Sequence, residues 1–193
     1  MRNTKWLLIT GVIVGSLLLT GFAFWMQPAF MKAAHHSDSS SAHQQSEINQ
    51  SALICRQNPA MQDTVRQWCD TMVDQAYDHQ LDPYLLAAII TVESDGNADA
   101  LSGSGAVGLM QVMPRDGTAS QFTCVNGPCF AKRPSMAELY DPAFNIQYGS
   151  SLLAGLIARY NGDIREALKS YGPHDIGYAY ADMVLGVYNS IQE

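Results

Sequence analysis

Apolar positions along this 193-residue chain follow two different patterns. From Trp6 to Met26 the chain is uncharged and apolar almost without a break, reading WLLITGVIVGSLLLTGFAFWM. Beyond Ser51, large apolar residues instead return every three or four positions. Met61, Val65, Trp68, Met72 and Ala76 form one such series, and Tyr148, Leu152, Leu156 and Tyr160 a second. Tyr180, Val184, Val187 and Ile191 make a third, closing the chain. This spacing predicts amphipathic helices whose stripes are core. Asn58-Pro59, Asp82-Pro83 and Asp141-Pro142 supply start signals, an N-cap acceptor followed by a ring suited to the first helical position. Asp163 with Glu166 reads as a capping box opening a helix toward Tyr171. The expected fold class is mainly α: one helical domain with a short disulfide-flanked hairpin or loop, preceded by a transmembrane helix.

The N-terminal run is long enough to cross a bilayer core, which takes about 20 residues in a helix. Trp6 and Trp25 stand at its ends, where amphipathic rings favour the membrane interface. A cleaved export signal is the alternative, because Gly21-Phe22-Ala23 offers a small-x-small site. The run exceeds the 7–15 apolar residues usual for such signals, which favours the anchor. Arg2 and Lys5 precede it and only Lys32 follows closely, so the N-terminus is expected to face the cytoplasm. Both readings export the rest of the chain. The expected division is residues 1–27 as anchor or signal, 28–50 as a flexible linker and 51–193 as the domain. The linker is rich in Ser, Gln and His and shows no period. Its His35, His36 and His43 have no Cys beside them and read as solvated linker residues, so no metal site and no cofactor is expected there.

Composition narrows the function. Hydrophobic residues make up 47% of the chain and charged ones 15%, which excludes wholesale disorder and coiled-coil arrays. A net charge of -7 argues against nucleic acid as a partner. Cys55, Cys69, Cys124 and Cys129 all lie in the exported part, where two disulfides are the default. Cys124 and Cys129 flank Val-Asn-Gly-Pro, a reversal signal that can bring them face to face. Cys55 then pairs with Cys69 by elimination, with pairing between the two groups left as the alternative. Zinc is disfavoured because no CxxC pair occurs.

In the segment PYLLAAIITVESDG, Leu86, Ile90 and Glu93 fall at i, i+4 and i+7. Glu93 thus shares a face with large aliphatics, and Gly96 marks a stop that leaves it in the last turn. Burial and the negative end of the helix dipole both oppose its charged form. Such a carboxyl keeps its proton toward neutrality, as a general acid must. An exposed Glu at a frayed helix end is the competing reading.

The residues around and beyond this glutamate match a known pattern. Glu93-Ser94, Ser102, Gly105-Ala106-Val107-Gly108-Leu109-Met110-Gln111 and Pro114 resemble the lytic transglycosylase (SLT) domain family, goose-lysozyme-like proteins acting on peptidoglycan. Asp141-Pro142-Ala143-Phe144-Asn145-Ile146-Gln147-Tyr148-Gly149 matches a further family motif. The likeness runs from about Asp82 to Tyr171. One departure stands out: where the family continues Ala-Tyr-Asn-Ala-Gly, this chain reads Ser170-Tyr171-Gly172-Pro173.

The resemblance implies an α+β lysozyme-like fold and a peptidoglycan-cleaving enzyme. It implies that Glu93 protonates the oxygen between N-acetylmuramic acid and N-acetylglucosamine and then takes the muramic C6 hydroxyl proton, leaving a 1,6-anhydro end. Asp95 and Asp99, the acids nearest Glu93 in sequence, are expected to be solvated or to cap a turn. The substrate acetamido group would stand in for a second carboxylate. Ser102, Gln111, Met113 and Tyr171 are implied cleft residues. Implied partners are glycan strands and, through residues 6–26, the inner membrane. Wall opening for a secretion or conjugation apparatus is a further role the tether would suit. A lysozyme-type hydrolase and a non-catalytic wall-binding scaffold are the competing classes, and Glu93 argues against the scaffold.

Overall fold

The structure, a computed structural model, describes the backbone of residues 29–193 and side chains from Ser40 onward. The run Trp6 to Met26 lies outside the described residues. The chain divides into two units, Met1–Ser39 and Ser40–Glu193. Of the first, only a helical stretch at 29–39 is described; the second holds the packed helices and the cleft. No helix among the described residues is long and apolar enough to cross a membrane.

The first helix, α1, is Ala29–Gln57. It runs through the stretch expected to be a linker, which is helical in the structure. The physical reason is in its composition. Ala29–Gln57 contains neither Gly nor Pro, and one-turn pairs support it, Gln45 Nε2 donating to Asn49 Oδ1 at 3.2 Å and His43 meeting Glu47. Its final turns carry the buried Ala52 and Cys55. Cys55 is bonded to Cys69, and Cys124 to Cys129, with no free cysteine among the described residues.

Asn58 caps no helix, contrary to the start signal there. Its Oδ1 accepts from the Ala60 N–H in a local turn, and its amide donates to the Ile191 carbonyl at 2.8 Å. The first stripe is accordingly split between α2 (Asp63–Arg66) and α3 (Cys69–His79). Met61, Val65, Met72 and Ala76 are nevertheless all core. Trp68 stands at the break and sends its indole N–H to the Gly96 carbonyl at 3.0 Å.

The other two Asx-Pro starts hold. Asp82 caps α4 (Pro83–Ser94) by accepting from the Tyr84 N–H, and Asp141 caps α6 (Pro142–Arg159) by accepting from Phe144. Between them lie the hairpin, β1 (Thr123–Cys124) antiparallel to β2 (Gly127–Pro128), and a short α5 (Met136–Leu139). Asp163 caps α7 (Ile164–Tyr171), but the Glu166 carboxylate engages Lys169 and Tyr178 instead of closing a box. The full capping box is Ser135 with Glu138, at α5. Last comes α8 (Tyr178–Gln192), whose stripe buries Tyr180, Val184 and Ile191. The result is mainly helical with a two-strand sheet.

Helix α4 is the axis of the core. Leu85 to Ile90 are six consecutive buried residues, so the helix is covered all round. It packs against α3 and α8, while α6 packs against α3 and α7. The stripe expected to be core on α6 is not its inner face. The buried face is Asn145, Ile146, Gly149, Ser150 and Leu153, while Tyr148, Leu152, Leu156 and Tyr160 are only half-buried. Small and polar residues share this inner face with Ile146 and Leu153, because the Met110 side chain presses close there. A Cβ added at Gly149 would lie 2.5 Å from the Met110 sulfur.

Candidate active site

Glu93 reaches its position because α4 ends just beyond it. Asp95 (φ 53°) and Gly96 (φ 77°) both turn left-handed. Only glycine suits position 96, since a Cβ there would stand 2.2 Å from the Thr64 carbonyl oxygen. The chain then folds back through residues 100–112, a loop built on short antiparallel bridges, with Val107 and Val112 exchanging two backbone hydrogen bonds of 3.0 Å.

That loop is fastened to α4 and α6. The Ser94 hydroxyl donates to the Leu109 carbonyl at 2.8 Å, so the residue beside Glu93 pins the Leu-Met-Gln segment. Asn145, fully buried, makes three bonds: its Oδ1 accepts from the Met110 N–H at 2.8 Å, and its amide donates to the Val107 and Leu139 carbonyls at 2.9 and 2.8 Å. A buried amide satisfied this completely is a rigid strut. The sequence places Asn145 in a motif but gives it no role.

An open cleft of about 840 Å³ runs over this assembly. All five residues singled out from the sequence, Glu93, Ser102, Gln111, Met113 and Tyr171, line it. Asp95 and Asp99 do not; both are exposed, Asp95 ending α4 and the Asp99 N–H donating to the Asn97 side chain. Leu152 and Leu156 form part of the wall, which is why the stripe they belong to is half-open.

Desolvation pushes the Glu93 carboxyl up from its ordinary 4.5 to about 7, and a hydrogen bond from Tyr180 opposes part of that rise. The Tyr180 hydroxyl donates to Glu93 Oε1 at 2.6 Å. Burial first, then the Glu93 charge, pushes the Tyr180 hydroxyl far above its ordinary value, so it stays a donor. With Oε1 accepting from Tyr180, the carboxyl proton belongs on Oε2. Periodicity marks Tyr180 only as core, and the one signal of more is a hydroxyl in an aliphatic stripe, which needs a partner when buried.

Tyr171 stacks on Tyr180, ring centres 6.5 Å apart at 17°, and its hydroxyl donates to the Met110 carbonyl at 2.9 Å. Gly172 makes room for this pair. An added Cβ would lie 2.3 Å from the Tyr180 ring, which accounts physically for the departure at Tyr171-Gly172. Gln111, held at φ 46°, donates its amide to the Ala100 and Gly108 carbonyls at 3.3 and 3.0 Å. Ser102 Oγ accepts from the Ala106 N–H at 2.9 Å. Gln111 and Tyr171 therefore face a ligand with acceptor oxygens, their protons already engaged. Acceptors of this kind suit a ligand that carries O–H and N–H groups.

Fold and site together define a helical protein with a proton-donating carboxyl at an open cleft. The chain belongs to the transglycosylase SLT domain family, whose family model matches residues 71–175. It is 38% identical over 97 residues to the membrane-bound lytic murein transglycosylase E of Buchnera aphidicola, covering 50% of this chain and 42% of that one. It is 37% identical over 105 residues to the transglycosylase of Enterobacteria phage PRD1, covering 54% and 34%. Among solved structures it is similar to an inactive mutant of the lytic transglycosylase Slt from Pseudomonas aeruginosa, at 25% identity and a TM-score of 0.43, over 63% of this chain and 21% of that one. The chain thus spans less than half the length of these two curated relatives.

Proposed function

We propose that this protein is a peptidoglycan lytic transglycosylase with Glu93 as its single catalytic acid and base, on a lysozyme-like scaffold. The observation that carries this reading is a cleft carboxyl with a pKa of about 7, with Asp95 and Asp99 outside the cleft and the exposed Asp175 the other carboxylate on its wall. At neutral pH about half of such groups carry the proton needed to start, and the conjugate base is strong enough to take one back.

In the proposed reaction, Oε2–H of Glu93 protonates the oxygen bridging N-acetylmuramic acid and N-acetylglucosamine, and the C1–O bond breaks. The substrate acetamido oxygen stabilises C1 as positive charge develops. The muramic C6 oxygen then bonds to C1 while its proton passes to Glu93, restoring the starting acid. No water is consumed, and one product ends in a 1,6-anhydro ring. Tyr180 holds Oε1 throughout and steadies the carboxylate formed midway. Ser102, Gln111 and Tyr171 offer oxygens to the sugars, and Met113 an apolar wall.

Membrane attachment through Trp6–Met26 completes the proposal, supported by the uncharged length of the run. It agrees with the membrane-bound designation of the relative from Buchnera aphidicola. Action at a secretion or conjugation apparatus is a narrower role that such a tether would suit. The deciding measurement is mass analysis of muropeptides released from purified sacculi by the full chain. Anhydro ends support the proposal, reducing ends replace it with a lysozyme-type hydrolase, and no release replaces it with a scaffold. N-terminal sequencing of the exported protein tests the anchor, and a start at Phe24 refutes it.

A further inference from the structure

Six arginines fall among the described residues, in a chain with 18 acidic and 11 basic side chains. Four of them sit beside a carboxylate: Arg56 with Asp70, Arg66 with Asp63, Arg115 with Glu138 and Arg165 with Asp182. Arg133 and Arg159 have no carboxylate partner among the described residues, and both line the cleft. In an acidic protein, unpaired cations are scarce, and here both unpaired guanidinium groups open on the same site.

Their setting suits recognition. The Arg133 guanidinium lies over the Phe130 ring, 4.8 Å from its centre, and that of Arg159 over Tyr160 at 5.9 Å. Stacking restrains a guanidinium plane while leaving its edge N–H groups free, the geometry that grips a carboxylate with two parallel bonds. Phe130 follows Cys129 directly, so the disulfide with Cys124 steadies the segment that carries Arg133. The positive charge of Arg133 also acts on the Tyr171 hydroxyl, which puts it within electrostatic reach of the catalytic end. The remaining ionisable lining groups are Glu93, His174 and Asp175. One exposed aspartate does not balance two arginines. Arg159 also sits in the last turn of α6, where a cation favours the helix end, but that role has no bearing on substrate choice.

We propose that Arg133 and Arg159 form an anion subsite of the cleft that holds a carboxylate of the glycan strand. The inference rests on the peptidoglycan reading of the site. Wall strands carry carboxylates from two sources: the stem peptides, and the muramic lactyl group where a stem is missing. Either would be gripped by the same charge-assisted hydrogen bonds. The subsite makes the enzyme selective for the charge state of the strand rather than for its sugars alone.

The test compares three substrates with the full chain in detergent micelles. They are strands bearing intact stems, the same strands with stem carboxyls converted to amides, and strands stripped of stems by an amidase to leave the lactyl carboxylate. The wild type is expected to prefer intact over amidated strands by roughly tenfold in kcat/KM, through KM, the scale of one charge-assisted contact. Raising the salt should shrink that preference. In the Arg133→Gln/Arg159→Gln pair the ratio should fall toward one, and the corresponding Lys pair should keep part of it. If stripped strands match intact ones while amidated strands lag, either carboxylate is held; if stripped strands lag with the amidated ones, the stem carboxylate is the anion held. Equal rates on intact and amidated strands by the wild type overturn the proposal while leaving a working enzyme. So does an unchanged ratio in the Gln pair. Should the pair fail to fold, as circular dichroism would show, Arg159→Gln alone reads the same ratio from an exposed position. No cleavage of any substrate by the wild type overturns the transglycosylase reading and this one together.

Discussion

Removing one oxygen from Tyr180 should change the pH range over which the enzyme works. Tyr180→Phe keeps the ring stacked on Tyr171 and seated against Gly172, so packing is conserved. What disappears is the 2.6 Å hydrogen bond to Glu93 Oε1, the one influence that holds the carboxyl below where burial alone would put it. A hydrogen bond to a charged group contributes about 1.5–3 kcal/mol, and at 1.36 kcal/mol per unit this is about one to two pKa units. The acid form of Glu93 begins the reaction, so activity in the wild type should fall as pH rises through about 7. In the variant that descending limb should move up to roughly 8–9, by the same conversion. The height of the plateau should drop as well, since the carboxyl loses the partner that fixes its proton on Oε2. The assay is kcat/KM against pH on soluble strands, scored by anhydro products. A limb that stays near 7, or moves to lower pH, would refute the assignment of Tyr180 as the donor that tunes Glu93.

Other expectations rest on the same contacts. Glu93→Gln should lower activity by about 10²–10⁴-fold, the usual contribution of a positioned proton donor, and near-normal activity in a zymogram would sink the mechanism. The same change should stabilise the fold above neutrality. Because the folded-state pKa lies above the ordinary 4.5, the native state binds the proton more tightly, and the stability this confers declines between pH 4.5 and about 7. The full loss is up to about 3 kcal/mol, so the melting advantage of Glu93→Gln should grow from pH 4 to pH 8, and a constant difference would contradict it. Asn145→Ala strands the Met110 N–H and two carbonyls. It should cost on the order of 3 kcal/mol or more, lowering Tm by roughly 6–12 °C in calorimetry, whereas a shift under a degree would show the strut to be dispensable. Cys55→Ser/Cys69→Ser opens a loop with a sequence separation of 14 and should lose about 3 kcal/mol in urea titration, while thiol titration of unreduced wild type should find no free cysteine.

Helix content, the Asp82 and Asp141 caps, the hairpin at Val125-Asn126 and the last stripe were all legible in the sequence. Each depends on neighbours a few positions away, and local spacing reports local physics. The polar member of an apolar stripe, Glu93, was legible for the same reason. Tertiary structure decided the rest. Asn58 looks like a cap, yet its amide reaches Ile191 near the far end of the chain, and that bond outweighs starting a helix. Gly149 lies off the apolar stripe read on α6, yet it faces inward, where Met110 presses against it, a demand set by a loop some forty residues earlier. Tyr180 reads as core until α8 is laid across α4 and its hydroxyl meets Glu93. The value of about 7 for that carboxyl comes from burial by several elements at once. Periodicity can say that a residue turns inward, but only the packed chain says what it meets there, and the chemistry of the site comes from those meetings.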